Sequence, residues 1–172
     1  FYHHKDYSPN IDKNRSARID SLFFNTDGTI KKVKPTLRGV GITDARSKIQ
    51  IDRYSTISPY GVTIDYLEPS NTLEGWQTLF NRAGTWVTYN KVDFGTTPVK
   101  RLKARVRSEK GGAITLRTPG EKGMTIAELP IKPTGKWTEI STNVSYAPTS
   151  MQDLIITQTG ENPVAVDWIS FE

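Results

Sequence analysis

The chain has 172 residues, no cysteine and a formal net charge of +5. That length can bury a core without staples, and the lack of cysteine excludes a disulfide scaffold, a thiolate zinc cage and a thiol nucleophile, while leaving the compartment open. No stretch approaches the roughly 18 uninterrupted apolar residues of a spanning helix. The opening Phe1-Tyr2-His3-His4 lacks a signal-like apolar run and reads as a piece cut from something longer.

The charge is uneven: residues 1–43 hold eight Lys/Arg against four Asp, which leaves +1 for the remainder. Overall basicity therefore argues poorly for a nucleic-acid or membrane surface on the main part of the chain. Tyr7 to Asn14 is polar and loop-like. Residues 18–24, the turn Asn25-Thr26-Asp27-Gly28 and residues 29–33 read as one hairpin, with Asp-Gly supplying the positive φ of a tight reversal. A lone hairpin is marginal in water, so it is expected to pack on the following domain or on a partner module. Residues 34–41 look like a linker.

From about Ile49 onward period-two patterning dominates. In Arg101-Leu102-Lys103-Ala104-Arg105-Val106-Arg107 the apolar residues point one way and the four basic ones the other. Residues 113–117, 137–146, 154–158 and 164–171 follow the same rule. Turn chemistry at Lys110-Gly111-Gly112, Pro119 to Gly123 and Pro133-Thr134-Gly135 separates them. Short strands at this spacing predict an all-β antiparallel sandwich or jelly roll.

The four tryptophans, Trp76, Trp86, Trp137 and Trp168, each follow a polar or glycine residue at a strand or strand entrance. A broad ring with a polar edge suits a hydroxyl-rich ligand such as a sugar, whose C–H side it can stack on, although Trp is also a common core residue of small sandwiches. Nucleophilic catalysis finds no support, since the histidines are only the adjacent His3 and His4 and no G-x-S-x-G occurs. Adjacent histidines on an extended chain point apart, which argues against a shared metal. The basic stripe of residues 101–107 lacks interleaved aromatics and reads as a solvated strand face rather than a nucleic-acid surface.

Several segments in order carry a resemblance: residues 49–55, residues 80–89 (Phe-Asn-Arg-Ala-Gly-Thr-Trp-Val-Thr-Tyr), Val92-Asp93-Phe94-Gly95, residues 103–107 with Gly111-Gly112, Thr134-Gly135-Lys136-Trp137, and Val166 to Phe171. Over roughly 120 residues this resembles a family 6 carbohydrate-binding module. Tyr2-His3-His4, residues 14–20, 24–30 and 35–41 resemble the end of a family 43 glycoside hydrolase of the arabinoxylan-active type. The resemblance implies a jelly-roll β-sandwich over residues 44–172, preceded by a remnant of a β-propeller over residues 1–43, with the catalytic acids upstream. It implies a noncatalytic module that anchors a bacterial hydrolase, secreted or held at the cell surface or in the periplasm, to xylan, arabinoxylan or a related β-glycan. A module that packs on the propeller without touching sugar is the other reading.

By the family's motif positions the sugar clamp falls on Phe80 and Trp137. The family's amide falls on Ala165, so a hydroxyl partner is sought at Glu161 or Asn162. A second, sheet-face cleft would use Trp86 and Asp65, with Arg117 at another of its acidic positions. A structural calcium would sit between Gln50, Asp52 and Asp167, all oxygen donors as a hard cation requires.

Overall fold

In the computed structural model, residues 1–4 and 16–172 are described; the expected polar loop over Tyr7 to Asn14 lies outside them. Two six-stranded sheets face each other. The front sheet runs β12 (Thr138–Asn143), β9 (Arg101–Arg107), β14 (Val164–Phe171), β7 (Trp76–Phe80), β6 (Val62–Tyr66), with β4 (Ile49–Gln50) against β14. The back sheet runs β11 (Thr125–Ile131), β10 (Gly112–Arg117), β13 (Met151–Gln158), β8 (Trp86–Asp93), β3 (Thr43–Asp44), with β5 (Thr56–Ile57) against β8. Apart from the short parallel β3–β8 contact, the ladders are antiparallel.

Alternation decides which side chains fill the space between the sheets. Leu102, Ala104 and Val106 of β9 point inward with Ile114, Leu116, Leu154, Ile156, Val164 and Val166, and all are fully buried. The basic residues of β9 take the outer side, as the sequence pattern requires. β14 is central in its sheet and buried along its whole length. Its register slips between Val166 and Trp168 against β9, a bulge at Asp167 that lets the strand carry two outward residues in succession.

The N-terminal segment departs from the expected hairpin. The Asp27-Gly28 turn forms, with Gly28 at φ 83, Asn25 N donating to Thr29 O at 2.8 Å and one bridge between Phe24 and Ile30. Lys31 N also donates to Phe23 O at 2.8 Å, so a short hairpin forms around the turn, while Arg18, expected to open its first strand, belongs to β2 (Ser16–Arg18), which pairs with β1 (Tyr2–His4). Nor are residues 34–41 a free linker. Leu37 is buried, Arg38 N donates to Tyr54 O at 2.8 Å, Arg38 Nε to Asn90 O at 3.2 Å, and its guanidinium lies 4.7 Å over the Tyr89 ring.

Candidate functional site

A cleft of about 510 Å³ opens on the outer face of the front sheet at its loop end. Its floor is a row across four strands, with Arg107 on β9, Ala165 on β14, Gln77 and Leu79 on β7 and Asp65 on β6. The β9–β10 turn (Ser108, Glu109, Lys110) and the β13–β14 turn (Asn162, Pro163) form the rim.

The rim is held by short polar links. Ser108 Oγ lies 2.9 Å from Gly111 O and 2.7 Å from Pro163 O, so one hydroxyl ties the two turns together, its single hydrogen serving one carbonyl at a time. Asn162 Nδ2 donates to Lys110 O at 3.4 Å and Asn162 O accepts from Gln158 Nε2. Gly112 permits this approach: a Cβ there would stand 2.6 Å from Val164 Cγ2. On the floor, Gln77 Nε2 donates to Tyr66 O at 2.7 Å.

Trp137 stands just before β12, whose Thr138 pairs with Val106, so its ring falls beside the outer residues of β9. The guanidinium carbons of Arg105 and Arg107 lie 5.4 and 5.1 Å from the ring centroid. Its Nε1 is buried without a hydrogen-bond partner, an unmet donor of the kind that costs about 1–3 kcal/mol. Ala165 and Asn162 both line the cleft, and Trp137 adjoins it through Arg107.

Phe80 does not join them. It is 0% exposed, on the inward side of β7 between Val164 and Val62, and belongs to the hydrophobic core. A ring with no accessible face cannot stack on a ligand, so Phe80 drops out of the expected two-aromatic clamp. Glu161 is exposed on the β13–β14 turn and does not line the cleft. The second cleft is not assembled either: Trp86 opens β8 in the back sheet, whereas Asp65 is in β6 of the front sheet and lines the main cleft. Arg117 shares the outer face of the back sheet with Trp86, and its Nη2 donates to Gly120 O at 3.3 Å. Sequence reasoning missed Arg107, Lys110 and Gln77 as cleft residues. The available signal was the position of Arg107 at the end of the basic alternation, next to the Lys110-Gly111-Gly112 turn.

Two residues along β14 from Ala165, Asp167 is buried, as is Asp52, at 3% and 4% exposed, and Ile51 N donates to Asp167 O at 3.2 Å. Asp167 Oδ2 accepts from Arg105 Nη1 at 2.7 Å. Burial pushes the Asp167 carboxyl above its ordinary range, and Arg105 and then Lys48 offset part of that rise. Among the described residues no group of three or more His, Cys, Asp or Glu is arranged to hold a metal.

The family model for "Carbohydrate binding module (family 6)" matches residues 57–172. The chain belongs to that family. An arabinoxylan arabinofuranohydrolase of Paenibacillus polymyxa is 27% identical over 154 residues, 85% of this chain but 24% of its own length. The family match already runs to the last residue, so the longer similarity reaches into the residues before it, and the chain spans about a quarter of the relative's length. Among solved structures, a family 6 module of Clostridium stercorarium in complex with cellobiose superposes with TM-score 0.68 at 25% identity, covering 77% of this chain and 97% of that one. A family 6 module from Clostridium cellulolyticum in complex with xylose gives TM-score 0.66 at 28% identity, covering 76% of this chain and 99% of that one. A family 36 module in complex with calcium and xylotriose shares the fold at TM-score 0.54 and 14% identity. The all-β jelly roll is the fold of a noncatalytic carbohydrate-binding module.

Proposed function

We propose that this module binds the β-glycans of plant cell walls, xylan or arabinoxylan first, in the front-sheet cleft, and so anchors a secreted bacterial glycoside hydrolase. The carrying observation is a concave face shared by Asn162 and Asp65, with turns cross-linked by Ser108 and with Arg107 of its floor lying over the adjoining Trp137 ring. Trp137 supplies the stacking face, Asn162 and Asp65 the hydroxyl partners, and the unmet Nε1 a further donor once the arginines shift. The xylose and cellobiose complexes of similar modules, and the arabinoxylan-active relative, support the choice of glycan.

An open groove on one or two sugar rings with a single aromatic gives weak binding, with Kd of roughly 0.1–1 mM. Titration with xylo-oligosaccharides, followed by Trp fluorescence, tests the reading; absence of any response to xylan, arabinoxylan and cello-oligosaccharides would falsify it. On this reading residues 1–43 are the end of a hydrolase catalytic module and residues 44–172 the binding module. The chain alone then releases no arabinose or xylose from arabinoxylan.

One observation favours the rival, a module that holds the catalytic unit in place. Leu22, Phe23, Phe24 and Ile30 are half or more exposed beside a groove of about 340 Å³. Glycan titration separates the two.

A calcium between Gln50, Asp52 and Asp167 belongs to the same proposal. The donors suit a hard cation, β4 places Gln50 opposite Trp168, and both carboxylates are buried. Such an ion shares Asp167 with Arg105. Calcium should raise the melting temperature and a chelator lower it; superimposable melting curves remove the ion from the account.

A further inference from the structure

Of the four basic residues on the outer side of β9, three have oxygen partners. Arg105 bonds Asp167, Lys103 reaches Glu172 at 2.5 Å and Arg101 bonds Ser141 Oγ. Arg107 has no ion pair among the described residues, although it is half-buried on the cleft floor with its guanidinium 5.1 Å over Trp137. Lys110 on the adjoining rim has none either.

None of the neighbouring acids forms an ion pair with these two cations. Glu68 Oε1 accepts from Ser70 N and Oγ at 3.2 and 2.8 Å, and feels Arg107 only as the weakest of its influences. Asp65 lies three strands from Arg107, roughly 14 Å at about 4.8 Å per strand, and its Oδ1 accepts from Tyr66 N. Glu109 shares the exposed turn with Lys110 and makes no ion pair. The cleft is therefore polarised, cationic at β9 and acidic at β6. Ala165, the register partner of Arg107, removes a neutral hydroxyl partner and leaves room for the guanidinium.

A neutral sugar offers a half-buried guanidinium little more than water does. A carboxylate offers two parallel acceptors that match its fork. We propose that the cleft selects glycans carrying a uronic acid, with Arg107 and Lys110 on the sugar carboxylate and Trp137 under a ring; this rests on the cleft being the sugar site.

The test is calorimetric titration with three xylo-oligosaccharides of one backbone length: unsubstituted, bearing a single glucuronate, and bearing that glucuronate as its methyl ester. The charged ligand should bind about tenfold more tightly than the unsubstituted one, the scale of one charge-assisted contact partly open to solvent. Esterification should return it to the neutral value, and salt should shrink the advantage. In Arg107→Gln, and to a smaller extent in Lys110→Gln on the exposed rim, the charged-to-neutral ratio should approach one. Equal affinities for charged and neutral ligands in the parent protein overturn the inference while leaving the sugar site standing. A ratio that persists in both variants also overturns it, and failure of all three ligands to bind overturns the site as well.

Discussion

The outer faces of the two sheets present one tryptophan each near a strand start, and the one on the front sheet stands against a residue of the cleft floor. On the front sheet Trp137 adjoins a concave floor closed by two turns. On the back sheet Trp86 sits beside Thr157 and Thr88, with Ile155 on the adjacent strand and Arg117 one strand further, and it stands apart from the front-sheet cleft. An aromatic at a strand entrance is thus not a site by itself. What distinguishes the front face is the pair of cross-linked turns and the polar groups converging between them.

The largest expected effect concerns the inner side of the front sheet. Phe80→Ala should cost about 3–5 kcal/mol of stability through the cavity it leaves, seen as a large drop in denaturation midpoint, with glycan affinity of the folded fraction unchanged. A variant of parental stability that had lost binding would return Phe80 to the sugar site. Next in size, Trp137→Ala should remove about 1–3 kcal/mol of binding, the scale of stacking on an aromatic, which takes a millimolar binder out of the measurable range. Trp86→Ala should bind as the parent does. The reverse pattern in affinity gels would move the site to the back sheet. Smaller again, Ala165→Asn adds an amide to the cleft floor and should tighten neutral xylo-oligosaccharides about fivefold, the worth of one hydrogen bond; a loss of affinity would show that the ligand does not reach β14.

The smallest expected effect is the pH response of Asp167, which faces outward on the same sheet but outside the cleft. Its folded-state value is raised, so the native protein binds the proton more tightly than the unfolded chain. Its contribution to stability is present in full below its ordinary value near 3.8 and is lost as pH rises through the raised value. Relative to Asp167→Asn, the parent's melting temperature should therefore fall as pH rises through that window. A rise would mean that the Arg105 pair outweighs burial.

Alternation made β9, β10, β13 and most of β14 legible in the sequence, because each has one face in the core and one outside. Trp137 and Ala165 were assigned to one site only through the resemblance, and both flank β9. Phe80 was not legible as core: its side of the sheet depends on the register of β7 with β14 and β6, and local pattern does not set that pairing. Trp86 and Asp65 parted for a similar reason. Which of two facing sheets a strand joins is a long-range matter, and β6 and β8 join different ones. The N-terminal turn was read correctly from Asp27-Gly28, whereas the partner of residues 16–18 lies more than ten residues upstream and leaves no local trace.

The most direct measurement uses the indole N–H signals of the four tryptophans as reporters on one labelled sample titrated with xylotetraose. The Trp137 indole and the amides of Arg107 to Lys110 and Asn162 should shift together along one saturating curve, while the Trp86 indole stays still. A saturable shift of Trp86 with Trp137 unmoved would contradict the placement of the glycan on the front-sheet cleft.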